Sequence, residues 1–350
     1  MSTTSSPETN SKRFLAEAAM RRSWFPVARI TDLGKPQTAT LLGTNLVIFR
    51  DGAGDVAVLD RRCPHRGADL SKGEVHEKSI GCPYHGWEFG TGTGACVRVP
   101  SLADQAKVPA RAGVKSYPVE LRYGHVWTVL EDPIRPVYDV ARWKGLDLEW
   151  LAGPVMDSSV GVGITIENFR DVAHFPFVHK VSMGPTPEVV EPLAVTRDGL
   201  DIHMERELNA GTGEWAEDGD AMMYYECSAP GLATITYNYE RLGHRIVAGF
   251  PCPVDYNTVK IFWGVANEVG YKGAGLEECL RIEEIVYRED LPIVEGMDPR
   301  EIPWDAEVQE YSVPADMFTL NFRRSFNELI TRAKTALESE KEQDHDYATA

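Results

Sequence analysis

The chain has 350 residues, 43% of them hydrophobic and 25% charged, and its 36 basic and 53 acidic residues give a formal net charge of −17. This composition is typical of a folded globular protein of one or two domains, and the acidic balance argues against nucleic acid and anionic membranes as partners. The sequence contains no apolar stretch of about 20 residues and no apolar signal region at its start, so we expect a cytoplasmic protein.

The first third of the chain has the pattern of a small β domain. Residues 1–20 are rich in serine and threonine and then weakly helical, which predicts a flexible N-terminal lead-in. Short apolar runs follow, and two of them, at 45–50 and 55–60, are separated by a glycine-containing loop, as in a β-hairpin. We predict an all-β domain over residues 21–135.

The rest of the chain, residues 136–350, combines both kinds of element and is predicted to be a second, α+β domain. Three runs rich in β-branched and aromatic residues predict strands at 232–239, 244–250 and 258–266. Apolar periodicity predicts helices at 164–179, 276–290 and 326–341. The predicted fold class is therefore α+β, with an all-β N-terminal domain.

Four residues form two metal-binding pairs, Cys63 with His65 and Cys82 with His85. Two thiolates and two imidazoles suit a tetrahedral zinc ion. They also suit a [2Fe–2S] cluster in which two cysteines bind one iron and two histidines bind the other. Zinc fingers usually pair Cys with Cys and His with His, so the alternating order favours the iron–sulfur cluster. The other four cysteines lack such a partner and are predicted to pack in the core.

A second group of candidate ligands follows in the middle of the chain. Asp171 precedes His174 by three residues, and His179 follows it by five. On a helix, Asp171 and His174 would lie about 60° apart on one face, and Pro176 would break the helix before His179. Alone, this pattern fits a structural role equally well. Because a one-electron cluster needs an acceptor, the combination favours a mononuclear iron held by two histidines and a carboxylate, with positions open for O₂.

The two motifs together make the chain, from about residue 24 to the last helix, resemble the oxygenase (α) component of the Rieske non-haem iron oxygenases. The sequences after the two pairs, Arg66-Gly and Gly86-Trp, resemble the CPHRG and CPYHGW signatures of that family. The resemblance implies a Rieske [2Fe–2S] domain followed by a helix-grip (START-like) catalytic domain. It assigns the cluster to Cys63, His65, Cys82 and His85.

The same resemblance assigns roles in the second group. It makes His174 and His179 ligands of a mononuclear Fe(II). It makes Asp171 the carboxylate that connects this iron, through hydrogen bonds, to the cluster ligand His85 of a neighbouring subunit.

The third iron ligand in the family is an aspartate far downstream, on a helix with acidic neighbours. The family pattern selects Asp290, whereas the residue types alone leave Glu283, Glu284 and Glu289 as alternatives. Asn168 is expected beside the site as an outer partner, because such partners orient metal ligands.

The resemblance implies an oxygenase that takes electrons from a separate reductase or ferredoxin and uses O₂ to hydroxylate, or to O- or N-dealkylate, a small aromatic or heterocyclic substrate. The Glu167-Asn-x2-Asp171 spacing and the length resemble the homo-oligomeric monooxygenase and demethylase branch, which is typically trimeric. Two alternatives stay open: a cis-dihydroxylating ring dioxygenase, and a Rieske-fused ligand-binding or electron-transfer protein without turnover.

Overall fold

The computed structural model describes residues 11–109, 111–208, 219–305 and 308–349. The chain divides into a small unit, Trp24–Asp132, and a large unit formed by the described residues before 24 and after 132. None of the helices in this part of the chain has the length and apolar character that crossing a membrane requires.

The small unit is built of short antiparallel strands. They are β1 Phe25–Arg29, β2 Gln37–Leu41, β3 Thr44–Arg50, β4 Val56–Asp60, β5 Glu74–Val75, β6 Ser79–Gly81, β7 Glu88–Gly90, β8 Cys96–Arg98, β9 Ser116–Tyr117, β10 Val119–Arg122 and β11 His125–Thr128. They form three sheets, in the orders β1-β11-β10, β2-β3-β4-β9 and β5-β6-β7-β8. The predicted all-β character of this region is confirmed.

The predicted hairpin is β3 and β4, which pair from Leu46 opposite Asp60 to Arg50 opposite Val56. Asp51 closes the turn, because its Oδ1 accepts hydrogen bonds from the backbone N–H groups of Ala53 and Asp55. Apolar residues of both strands enter one buried cluster. This hairpin therefore forms one wall of the small unit's core, and the first candidate metal-binding pair lies in the loop after β4.

The large unit is one antiparallel sheet with helices. Its strands are β12 Leu148–Ala152, β13 Met156–Ser158, β14 Val195–Asp198, β15 Asp201–Leu208, β16 Ala221–Ser228, β17 Leu232–Tyr239, β18 Gly243–Pro253 and β19 Val259–Glu268. The sheet order is β12-β19-β18-β17-β16-β15-β14, and β13 also pairs with β19. Its helices are α1 Lys12–Arg21, α2 Val162–Arg170, α3 Phe175–Val178, α4 Leu276–Val294 and α5 Met317–Thr349. The α+β class is confirmed.

Helix α4, which carries Asp290, and helix α2, which precedes His174 and His179, both pack on the sheet. Helix α2 contacts β17 and β18, α4 contacts β12 and β19, and the two helices contact each other. Helix α5 packs on β14, β15 and α2. The space between the sheet and α2 and α4 is therefore where side chains from several strands and both helices converge.

The structure corrects one predicted helix, 164–179. Helix α2 ends at Arg170, and Asp171 is extended, with ψ of 135°. A separate one-turn helix, α3, has Pro176 in its first turn. Proline is tolerated there because the first N–H groups of a helix have no acceptor within it, whereas it breaks a helix interior. Asp171 and His174 are thus not neighbours on one helical face.

Residues 12–21 also differ from the predicted lead-in over 1–20. They form helix α1, which Ser11 caps by accepting from the N–H of Phe14, and α1 packs against α5. Its apolar face is buried, which is why this segment is part of the large unit. Residues 1–10 lie outside the described part of the chain. The units divide at 132/133, close to the predicted boundary at 135/136.

Candidate metal centres

Two equivalent turns carry the four candidate ligands of the small unit. The carbonyl oxygen of Cys63 accepts from the N–H of Gly67, and that of Cys82 accepts from the N–H of Gly86, each at 2.9 Å. Gly67 and Gly86 have φ of +80° and +67°, a conformation that costs side-chain-bearing residues energy. The glycine four residues after each cysteine therefore folds both pairs into tight loops of one shape.

The two turns bring the ligand side chains together. The imidazole rings of His65 and His85 have centroids 4.7 Å apart, and His65 stacks on Trp87 at 4.5 Å. Cys63 and Cys82 are buried beneath them. Burial raises the pKa of the Cys63 thiol, and the neighbouring Cys82 raises it further. Two adjacent buried thiols gain from a bound cation, which removes their protons.

In the large unit, three side chains converge on one point. The Nε2 atoms of His174 and His179 are 3.1 Å apart, and Oδ1 of Asp290 lies 3.4 Å from the first and 3.2 Å from the second. Metal–nitrogen bonds of about 2.1 Å at right angles would separate neighbouring ligand atoms by about 3.0 Å. This triangle therefore has the size of a facial triad of two histidines and one carboxylate.

Local folding explains how these side chains meet. His174 and His179 flank the one-turn helix α3 as its N-cap and C-cap residues. Asp290 lies on α4, where it is 7% exposed, and His179 is 1% exposed. Oδ1 of Asp290 is buried and accepts no hydrogen bond from the described residues. A buried carboxylate oxygen is costly unless positive charge faces it, so these three side chains are suited to hold a cation.

In each histidine, the ring nitrogen that does not face the triad, Nδ1, lies within hydrogen-bond distance of a carboxylate oxygen. Nδ1 of His174 lies 3.0 Å from Asp171 Oδ2, and Nδ1 of His179 lies 2.9 Å from Glu289 Oε2. Ser182 Oγ donates to the same Glu289 oxygen at 2.6 Å. Such partners fix the ring orientation and leave Nε2 free to bind a metal. From the sequence, Glu289 is only an alternative ligand, and Ser182 carries no signal that predicts it here.

The charges around the triad favour a cation. Burial lowers the pKa of His174, but the carboxylates of Asp171 and Asp290 outweigh burial and raise it to about 9. Burial is likewise outweighed at His179, whose pKa Asp290 and Glu289 raise. The two histidines lower the pKa of Asp290 despite its burial. Three carboxylates therefore surround two imidazoles, and a divalent ion binding there would displace imidazolium protons.

The triad forms part of the wall of a cavity of about 350 Å³. Most of the cavity lining is apolar, from α2, α4 and the strands of the sheet, and includes Phe169, Met223, Ile235, Val247, Val286 and Tyr287. The volume is in the range of pockets that bind small organic molecules. An organic ligand in this cavity would lie directly against the three converging side chains.

Comparisons with known proteins give the family. Family models match residues 23–118 (Rieske [2Fe-2S] domain) and 161–332 (vanillate O-demethylase oxygenase C-terminal domain). Methylxanthine N1-demethylase NdmA of Pseudomonas putida is 30% identical over 325 residues, which cover 89% of each chain. The chain belongs to the oxygenase components of the Rieske non-haem iron oxygenases.

Two further matches bear on this Rieske oxygenase. Oxidoreductase NdmD of Pseudomonas putida is 43% identical over 112 residues, which cover 31% of this chain and 19% of that protein. The structure of Pseudomonas putida CBB5 NdmA with caffeine matches with a TM-score of 0.78 and 26% identity, and the match covers 91% of this chain and 93% of that chain. The whole two-unit chain, and not one domain alone, is therefore shared with a known oxygenase.

The Rieske oxygenase is an oxidoreductase with a [2Fe–2S] cluster and a mononuclear iron, and the residues present fit both groups. In the small unit, Nδ1 of His65 is buried without a hydrogen-bond partner among the described residues, as a nitrogen reserved for a metal would be. In the large unit, Oδ1 of Asp290 is likewise buried, and it faces the Nε2 atoms of His174 and His179 at 3.4 and 3.2 Å. Two thiolates with two imidazoles suit the cluster, and the mixed nitrogen and oxygen triad suits iron.

The other acidic candidates on α4 lie elsewhere. Glu284 is paired with Arg288 at the helix surface, at 2.6 Å. Glu283 is 7% exposed and lines the cavity, where burial raises its pKa to about 7. Asn168 lines the cavity too, and its carbonyl oxygen accepts from the N–H of Asp171 at 3.2 Å. In the described part of the chain, no hydrogen bond joins the Asn168 side chain to the triad.

Proposed function

We propose that this Rieske oxygenase removes a methyl group from nitrogen or oxygen of a small aromatic or heterocyclic substrate. The observation that carries the proposal is the triangle of His174, His179 and Asp290 in the wall of an apolar cavity of about 350 Å³. NdmA, a relative whose match covers 89% of this chain, is a methylxanthine N1-demethylase. Hydroxylation of a methyl carbon on nitrogen or oxygen gives a hemiaminal or hemiacetal, which breaks down to formaldehyde.

We assign the iron ligands residue by residue. Cys63 and Cys82 would bind one iron of the cluster and His65 and His85 the other, because the two turns present one ligand of each kind side by side. The second set, His174, His179 and Asp290, would hold the mononuclear iron, which supplies the O₂ chemistry when bound.

The chain's own residues have three tasks in this reaction. Asp171 and Glu289 fix the two imidazoles so that both Nε2 atoms face one point. The apolar wall of the cavity, with Phe169 and Tyr287 in edge-to-face contact, excludes water and fixes the substrate plane. Removal of water from around the reacting carbon protects a reactive oxidant from wasteful side reactions.

Electrons must come from outside the chain, from a separate reductase or ferredoxin. Overall, the demethylation consumes O₂, two electrons and two protons and yields formaldehyde, water and the demethylated substrate.

Within the assembly we assign the electron-transfer step between the two centres to Asp171 and to His85 of a neighbouring subunit. Asp171 is half-buried, and each of its oxygens accepts one hydrogen bond from its own segment, which leaves lone pairs for another donor. A closed trimer would satisfy this contact in every subunit.

The experiment is a turnover screen with a surrogate reductase, O₂ and a panel of N-methyl and O-methyl aromatic and heterocyclic compounds. We expect formaldehyde in proportion to the demethylated product. The variant His174→Ala should release none, while it keeps the visible absorption of the cluster. Glu284→Ala, which alters a surface ion pair on α4, is the matched control and should turn over normally.

Three outcomes would contradict the proposal. Ring diols without formaldehyde would identify a dihydroxylating dioxygenase. Tight binding of compounds without any product would identify a ligand-binding protein. Full activity of His174→Ala would remove that residue from the iron site.

A further inference from the structure

One face of helix α4 connects the triad to the far end of the cavity. Asp290, Tyr287, Val286 and Glu283 all line the cavity, as their spacing of three, four and seven residues requires for one helical face. Glu283 lies two turns from Asp290, which is about 10 Å along the axis. A two-ring heterocycle with a methyl substituent can therefore reach from the iron ligand to Glu283.

Glu283 has a buried carboxyl group, on which the positive charges of Arg245, His179 and Arg170 act at longer range. The residue is 7% exposed, and among the residues that the structure describes its side chain forms neither a hydrogen bond nor an ion pair. A buried carboxyl group without a hydrogen-bond partner destabilises the folded protein. Since it faces a cavity for an organic molecule, its natural partner is a hydrogen-bonding group of that molecule.

Arg170, at the end of helix α2, has the complementary property. Its side chain is 4% exposed and lines the same cavity. Its Nη1 donates to the carbonyl oxygen of Thr234 at 3.0 Å, and its guanidinium forms no other hydrogen bond with the described residues. In the described ranges no carboxylate lies within ion-pair distance of this guanidinium. The cavity wall therefore offers one unused donor and one unused acceptor.

We propose that Glu283 and Arg170 determine specificity by binding a cyclic amide edge of a neutral heterocyclic substrate. Glu283 accepts its N–H, Arg170 donates to its carbonyl oxygen, and a methyl group elsewhere on the ring system points to the triad. This inference rests on the proposed demethylation, because it uses the same cavity. An aromatic hydrocarbon would leave both groups unpaired, and a carboxylate would satisfy Arg170 but be repelled by Glu283.

The test compares three two-ring probes of matched size that each carry one methoxy group: 6-methoxy-2-quinolone, its N-methyl derivative and 6-methoxy-2-naphthoate. Each is titrated anaerobically into the iron-loaded oxygenase, and binding is followed by calorimetry without turnover. The quinolone with a free N–H should bind at least about tenfold more tightly than its N-methyl derivative, the loss expected for one buried hydrogen bond. Equal binding of those two probes would overturn the proposal. So would tighter binding of the naphthoate, or no binding of the quinolone up to about 1 mM.

Variants separate recognition from folding. Glu283→Gln keeps an acceptor oxygen and should keep the preference for the free N–H, whereas Glu283→Leu should abolish it. Glu284→Gln, one residue further on α4 and outside the cavity lining, should bind all three probes as wild type does. A preserved preference in Glu283→Leu would overturn the proposal.

Formaldehyde release distinguishes this inference from the function on which it rests. Formaldehyde from methylated compounds without any preference for an N–H group would leave demethylation standing and refute the role of Glu283. The expected preference in binding, without formaldehyde from any methylated probe, would leave the recognition pair standing and refute demethylation.

Discussion

Replacement of Glu289 by alanine should weaken Fe(II) binding at the mononuclear site without removing a ligand. The Glu289 carboxylate lies 2.9 Å from Nδ1 of His179 and accepts from Ser182 Oγ at 2.6 Å. His179 is 1% exposed, so water cannot easily replace the lost acceptor. A buried N–H left without a partner costs about 1–3 kcal/mol, which corresponds to a loss in affinity of about tenfold to a hundredfold.

The assay is an anaerobic titration of protein that retains its cluster but lacks the mononuclear iron, with free Fe(II) measured by a chromogenic chelator. The visible absorption of the cluster reports whether the small unit is intact in each variant. Ser182→Ala should lose less than Glu289→Ala, because Glu289 can still hold His179. Glu284→Ala on the same helix is the matched control and should bind iron as wild type does.

Glu289→Gln distinguishes a positioning role from direct ligation. Glutamine keeps an oxygen acceptor for Nδ1–H of His179, so it should bind iron better than Glu289→Ala. If Glu289 itself were an iron ligand, loss of its charge would make the two variants similar. An affinity of Glu289→Ala within about twofold of wild type would refute the reasoning. So would an equal loss in Glu284→Ala.

Two further predictions concern stability. A Cβ at Gly163 would clash with Oε1 of buried Glu301 and with the side chain of Ile302. Gly163→Ala should therefore lower the free energy of unfolding by about 1–3 kcal/mol, measured by thermal unfolding. Gly34→Ala, with open space around it, should leave the free energy of unfolding unchanged. Burial raises the pKa of Glu283 from 4.5 to about 7. At pH values between these two, the Glu283 carboxyl group keeps its proton in the folded protein but has lost it in the unfolded chain. The contribution of Glu283 to stability is thus most favourable below 4.5 and is lost as pH rises through 7. The free energy of unfolding of Glu283→Gln, measured by chemical denaturation, should therefore rise relative to that of wild type as the pH increases. The gain should reach up to about 3 kcal/mol between about pH 5 and pH 8.

Each of the two stability predictions has an outcome that would contradict it. Equal melting temperatures of Gly163→Ala and wild type would show that Glu301 moves aside without cost. A stability difference between Glu283→Gln and wild type that does not change with pH would show that Glu283 ionises normally in the folded protein.

The four cluster candidates could be found from the sequence because each pair is local. Cys63 and His65, like Cys82 and His85, lie within one turn, and the turn needs only a glycine four residues after the cysteine. Short-range spacing therefore determined which side chains meet.

The third iron candidate could not be chosen from residue types, because α4 carries acids on several faces. Glu283 and Asp290 share the buried face, Glu289 turns towards His179, and Glu284 pairs with Arg288 at the surface. That division depends on how α4 packs on the sheet and on α2, which periodicity does not give.

The position of the break between α2 and α3 was also not predictable from the sequence, which placed the break at Pro176. The pattern at 164–179 has an apolar period throughout, yet the chain leaves the helix at Asp171, where ψ is 135°. The break lets Asp171 turn back to Nδ1 of His174. Here the geometry of the site, and not local propensity, determines the backbone.

Iron and sulfide analysis of the anaerobically reconstituted protein tests the central claim most directly. With two iron centres, wild type should contain about three irons and about two acid-labile sulfides per chain, and Asp290→Ala should contain about two irons with unchanged sulfide. Three irons in Asp290→Ala, or a colourless wild-type protein with zinc and no sulfide, would contradict the account.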